Sequence, residues 1–140
     1  MSGYLLDTNI ISDVIQSPGG PAALRLAEID PKEIFTSIIV AAELRYGCEK
    51  KKSPKLTARV AAFLKLIPVL SLDTPADVEY GDIRAVLEAS GKIIGANDLL
   101  IAAHARARQL TLVTDNTQEF NRVKNLKVEN WKKDSLDLSR

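Results

Sequence analysis

Short apolar runs alternate with helical stretches along the 140 residues, predicting an α/β domain built as a doubly wound, five-stranded parallel sheet with helices on both faces. Three observations carry this. Tyr4-Leu5-Leu6, Ile34-Phe35-Thr36, Val69-Leu70-Ser71-Leu72 and Leu110-Thr111-Leu112-Val113-Thr114 have strand length, and Leu126-Lys127-Val128 reads as a weaker fifth strand. Helical periodicity fills the gaps between the first four. Connections of that length form right-handed crossovers, which carry the carboxyl end of every strand to one edge.

Each element has its own warrant. Asn9 to Gln16 reads as a short helix, broken by Ser17-Pro18-Gly19-Gly20. Pro21 suits the first position of a second helix, with Ala22, Leu26 and Ile29 on one face, and Asp30-Pro31 stops it. A third helix is predicted from Ser37 or Ile38 to about Lys52. Its opening Ile38-Ile39-Val40-Ala41-Ala42 is apolar on every side, which predicts burial. Ser53-Pro54 starts a fourth, with a stripe of Leu56, Val60, Phe63 and Ile67. Thr74-Pro75 opens a fifth, with Ala76, Tyr80, Ile83 and Leu87 inward and Gly91 as its stop. Asn97 is read as the cap of a sixth, whose body from Leu99 to Ala105 is apolar apart from His104 and therefore central. Trp131 should pack near the C-terminus. Residues 1–140 read as one domain, with 132–140 a frayed or partner-binding tail.

Composition excludes several classes of function. A net charge of +1 carries no basic footprint of a high-affinity nucleic-acid binder, so action on nucleic acid must be argued from a site. One Cys and one His cannot form an ordinary zinc site, and the single Cys48 leaves no internal disulfide. A reducing, cytoplasmic setting is expected, with no membrane span and no secretory leader pattern.

What stands out is where the acids fall. Asp7 ends the first strand, Asp115 follows the fourth, Asp98 opens the central helix, and Glu43 interrupts an apolar helix after the second strand. Each has an ordinary explanation alone. Asp7 can cap a helix, Asp98 can balance a helix dipole, Asp115-Asn116 can make a turn, and Glu43 can sit at the rim of the core. His104 reads as a packed histidine, not a base. In a parallel sheet, however, the four acids converge on one edge. Carboxylates crowded without His or Cys form a hard, all-oxygen set suited to Mg²⁺ or Mn²⁺. Ions of that kind support phosphodiester displacement.

Four stretches make the sequence recognisable: Leu5-Leu6-Asp7-Thr8-Asn9-Ile10-Ile11-Ser12, Ser37 through Gly47, Ile94 through Ala105, and Thr111 through Phe120. In order and spacing the chain resembles the PIN-domain ribonucleases, most closely the VapC-type toxins of prokaryotic toxin–antitoxin pairs. The resemblance implies a Mg²⁺- or Mn²⁺-dependent endoribonuclease that hydrolyses RNA by metal-activated water. It further implies a homodimer and a tight complex with a small VapB-like antitoxin. It assigns Asp7, Glu43 and Asp98 to the metal site. The fourth family acid tends to fall two residues after the strand-ending Thr, which here is Asn116. Asp115 is one residue off and is preferred as nearest the strand end; Glu119 is a further candidate. Thr8, Asn9 and Thr114 match supporting polar positions. Two other functions remain possible from the residues: a structure-specific DNA nuclease of the same fold, and a phosphate-accepting receiver module using Asp7 and Asp73. The receiver needs an acidic pair after the first strand, where Thr8-Asn9 stands instead.

Overall fold

The computed structural model describes residues 3–133. Its strands are β1 (Tyr4–Leu6), β2 (Ile34–Ser37), β3 (Val69–Leu70), β4 (Thr111–Val113) and β5 (Val128–Glu129), in the order β3-β2-β1-β4-β5. Every pairing is parallel. β1 is central, paired through Leu6 to Thr36 on one side and to Val113 on the other. Leu5 and Leu6 point to opposite faces and both are fully buried, so helices cover the sheet on both sides. The Thr36 hydroxyl donates to the Leu6 carbonyl at 2.7 Å, tying the two strands inside the core. The first two crossovers lead outward from β1 to β3, and the third returns to its other side. That reversal falls between β1 and β4, where an open α/β sheet leaves a crevice at its carboxyl edge.

The helices are α1 (Thr8–Gln16), α2 (Pro21–Glu28), α3 (Ile38–Lys51), α4 (Pro54–Leu66), α5 (Ala76–Ala89), α6 (Ala96–Ala107) and α7 (Thr117–Phe120), with a 3-10 turn at Pro31–Glu33. Ser37 caps α3 through Ile39 N, and Ser53 caps α4 through Leu56 N. Gly91 ends the fifth helix at φ +69°, a backbone that favours glycine. From Ile101 to Ala105 every residue of α6 is buried, His104 included.

Several expectations shift. The opening of α3 is not enclosed all round: Ile38 is 46% exposed and Ala42 is exposed, so the helix lies on the outside of the core. The cap of α6 is Gly95, not Asn97, which frees the Asn97 side chain. β5 lies two residues later than predicted, because Val128 pairs with Leu112. The short α7 was not anticipated, since four residues are too few for a periodic signal. Trp131 is buried, with its ring 5.2 Å from that of Tyr4. Of the tail expected at 132–140, only Lys132 and Lys133 are described; the rest lies outside the described residues.

Candidate active site

Asp7 is the first residue beyond β1 and the N-cap of α1, so a chain reversal aims its carboxylate along the sheet edge. Thr114 is the corresponding residue beyond β4, and Asp7 N continues the ladder to Val113 O at 2.9 Å. The two side chains therefore stand next to each other. The Thr114 hydroxyl donates to Asp7 Oδ2 at 2.8 Å, and Thr8 N donates to Oδ1 at 2.8 Å. Asn9 Nδ2 adds a longer contact to Oδ2 at 3.4 Å. Capping and site geometry coexist on one carboxylate. Asp7 is only 4% exposed, and burial pushes its pKa up despite these donors, with the Glu43 charge adding to the rise.

Glu43 enters from α3 and is held by neutral donors from two other helices. The Thr8 hydroxyl donates to Oε1 at 2.6 Å and Asn97 Nδ2 to Oε2 at 3.1 Å. Asp98 comes from the first turn of α6. Its carboxyl is pushed up to about 6, first by burial and then by the charges of Asp7, Glu43 and Glu119. All of these influences act in one direction, and none comes from a cation. Asp7, Glu43 and Asp98 are thus brought into one electrostatic environment, with Glu119 as the fourth acid that Asp98 feels.

The residues after β4 divide. Asp115 N donates to Asn9 Oδ1 at 2.8 Å, which anchors the turn. The Asp115 carboxylate, however, takes Asn130 Nδ2 at 3.0 Å and Lys132 Nζ at 3.3 Å. Those partners, Asn130 foremost, hold its pKa below the usual range. The expected convergence of Asp115 with the other acids is therefore not what its contacts describe; it fastens the chain beyond β5 to the site edge. Asn116 turns the other way, donating through N to Thr114 Oγ1 at 3.0 Å and reaching Asp98 Oδ2 through Nδ2 at 3.4 Å. Glu119 lies in α7, the element the sequence did not reveal, which is why position along the chain favoured Asp115.

Asn97 was read as a cap and proves to be a Glu43 donor. Its placement directly before Asp98, in one of the recognised stretches, was the available signal. Asp73 follows the edge strand β3, separated from β1 by β2, and accepts from the Ser71 hydroxyl at 2.6 Å. It does not join Asp7, so the receiver arrangement is not formed.

Among the described residues, no three His, Cys, Asp or Glu side chains close into a ready-made metal cage. Mg²⁺ does not require one, because it keeps several waters and takes one or two carboxylates directly. The donor set is all oxygen, negatively charged and held by neutral hydrogen-bond donors, which fits a hard divalent cation and excludes a thiolate–imidazole zinc site. No helix among the described residues is long and apolar enough to cross a membrane.

With this geometry in place, comparison with known proteins is informative. The PIN domain family matches residues 4–126. The chain is 41% identical over 132 residues to ribonuclease VapC2 of Rickettsia felis, covering 93% of this chain and 98% of that protein. It is 38% identical over 133 residues to the tRNA(fMet)-specific endonuclease VapC of Shigella flexneri, covering 94% and 99%. In structure it is similar to a chain in the crystal structure of VapBC2 from Rickettsia felis bound to a promoter DNA fragment. The TM-score is 0.85 at 40% identity, covering 94% of this chain and 99% of that one.

Proposed function

The chain belongs to the PIN domain family, among the VapC ribonucleases, and from that premise we propose that it is the toxin of a toxin–antitoxin pair, an endoribonuclease dependent on Mg²⁺ or Mn²⁺. The observation that carries the reading is Asp98, whose carboxyl feels the charges of Asp7, Glu43 and Glu119 at the reversal point of the sheet, with no cation among the described residues acting on it. Asp7, Glu43 and Asp98 would hold the ion, with Glu119 or the Asn116 amide completing the set; Asp115 is held elsewhere. Bound there, the ion supplies positive charge to the phosphate of the scissile bond and to the acids themselves.

The chain's own residues do the positioning. Thr8 and Asn97 fix both oxygens of Glu43, and Thr114, Thr8 N and Asn9 fix those of Asp7. These donors are neutral, so they orient each carboxylate without neutralising it. With its carboxyl pushed up to about 6, Asp98 is partly protonated near that pH and would have to release that proton to solvent to hold a cation. The near-neutral net charge suits local binding of an RNA segment rather than tight binding along a duplex.

The partner supported by the relative solved as a VapBC complex is a small VapB-like antitoxin, and two copies of the chain are expected to pair as a homodimer. The test is cleavage by the purified chain of tRNA, single-stranded RNA and flap DNA, with Mg²⁺, with Mn²⁺ and with chelator. Cleavage of RNA that stops with chelator is the expected result. Cleavage of flap DNA alone, or RNA cleavage indifferent to chelator, overturns the reading. In cells, the chain expressed without antitoxin should arrest growth, and Asp7→Ala at equal abundance should not.

A further inference from the structure

His104 takes no part in the site described above, yet it is 1% exposed in the centre of α6. Its Nδ1 lies 2.8 Å from the Ser37 hydroxyl, which is itself fully buried at the end of β2. Ser37 Oγ already accepts from Ile39 N at 3.1 Å as the cap of α3. The arrangement with fewest unmet groups has the Ser37 hydroxyl donating to Nδ1 of a neutral ring, with the proton on Nε2. The neutral ring is the favoured form, since burial foremost and Arg108 besides push its pKa down. Among the described residues Nε2 has no partner in hydrogen-bonding geometry, although the Ser71 backbone acts on the ring and favours its protonated form.

An apolar side chain of similar size would remove the unpartnered nitrogen but leave the buried Ser37 hydroxyl without its acceptor, so the exchange trades one unmet group for another. Stability alone therefore does not account for a histidine here. Its position in the fold does. Ser37 stands six residues before Glu43 on α3, and His104 stands six residues after Asp98 on α6. Each interval spans about 9 Å of helix. The acid-bearing ends are joined by Asn97 Nδ2 to Glu43 Oε2 at 3.1 Å, and the far ends by Ser37 and His104. The two helices are thus pinned at both ends of one shared interval.

We propose that His104 is a positioning residue: through Ser37 it sets the spacing of α3 against α6, and thereby the separation of Glu43 and Asp98 that determines affinity for the cation. This rests on the cation-site reading above. The test is Mn²⁺ affinity by titration calorimetry, with metal-free thermal melts, on the parent, His104→Leu, His104→Asn, Ser37→Ala and the His104→Leu/Ser37→Ala pair. His104→Leu should weaken Mn²⁺ binding at least about threefold, toward the range seen when residues supporting a metal ligand are removed. Its metal-free melting temperature should stay within about 3 °C of the parent or rise. His104→Asn places an amide group near the Nδ1 position and should restore affinity to within about twofold of the parent. Ser37→Ala also removes the α3 cap, so it should weaken binding at least as much as His104→Leu, and the pair no more than Ser37→Ala alone, because the two changes share one link.

Parent-like Mn²⁺ affinity in folded His104→Leu overturns the inference. Should that variant fail to fold, parent-like affinity in Ser37→Ala overturns it equally. A parent that binds no Mn²⁺, or binds it as well as Asp98→Asn does, overturns the cation-site reading beneath it instead, and the inference with it.

Discussion

Two places in the molecule gather acids around a single point, and they are settled differently. On the α5–α6 side, Arg106 lies between Glu79, at 2.5 Å, and Asp82, at 2.6 Å, and also donates to the Lys124 carbonyl at 2.9 Å. Burial opposes the charged guanidinium, but its bonds to Asp82 and Glu79 prevail and raise its pKa. At the carboxyl edge, Asp7, Glu43 and Asp98 have only neutral Thr and Asn donors, and burial, helped by the neighbouring acid charges, pushes the pKa of Asp7 and Asp98 upward. The first cluster sets a guanidinium between its two acids and holds two helices to the chain beyond them. The second keeps its oxygens in place and its charge unbalanced. A protein that needed only rigidity would build the first kind twice.

The largest effect that would break this contrast is on catalysis. Asp98→Asn keeps the shape of the side chain while removing one charge from the unbalanced cluster. RNA cleavage should fall on the order of 100-fold or more. Parent-like turnover with Mg²⁺ present would show that the charge of Asp98 is idle. Next in size is the response to metal. An ion binding only the folded form at a hundred times its dissociation constant stabilises by about 2.7 kcal/mol. For a domain of this length that corresponds to a rise of roughly 10 °C in melting temperature. Melts with chelator and with Mn²⁺ measure it, and coincident curves would contradict a cation site.

Arg106→Met breaks the cation-centred cluster and leaves Glu79 and Asp82 without their cation. A loss of about 2 kcal/mol is expected, less than for a fully buried pair because Asp82 is largely exposed. The Mn²⁺-induced shift should survive intact; if it disappears, the two clusters are not independent.

A smaller effect is the dependence on pH. The folded pKa of Asp98, about 6, lies above its ordinary value of 3.8. The protonated form is therefore favoured by folding. Metal-free stability should be fully present below about pH 4 and be lost as pH rises through 6. Asp7 is shifted in the same direction, so Asp98→Asn should flatten the profile without abolishing it. Chelator melts from pH 4 to 8 test this, and a parent whose stability rises across that range would reverse the sign.

The smallest difference sharpens the boundary of the site. Glu119→Gln should weaken Mn²⁺ binding more than Asp115→Asn, whose carboxylate already has Lys132 and Asn130. Loss of that exposed tether should lower stability by about 0.5 kcal/mol. If instead Asp115→Asn weakens binding more, its carboxylate leaves Lys132 when metal arrives.

Much of this was legible in one dimension because it depends on local chemistry. Strand-length apolar runs, proline and serine at helix starts, and glycine at a helix end each act over a few residues, so the sheet and six of the helices could be read directly. Asp7, Glu43 and Asp98 were legible because an acid beside Leu6, Leu44 or Leu99 is out of keeping with its neighbours. What could not be read was direction. Asp115 and Glu119 differ by four positions, yet one carboxylate is bound to Lys132 while the charge of the other, carried on α7, acts on Asp98. Ile38 looked enclosed and is half open, since exposure depends on which neighbours pack against a helix and not on its own composition. His104 carried no local signal, because its partner Ser37 is distant in sequence and meets it only when α6 is laid beside the start of α3. Local propensity determined where the first four strands and six helices lie, to within a residue or two, and what they can donate; only the packing of elements far apart in the chain decided which side chains share a charge.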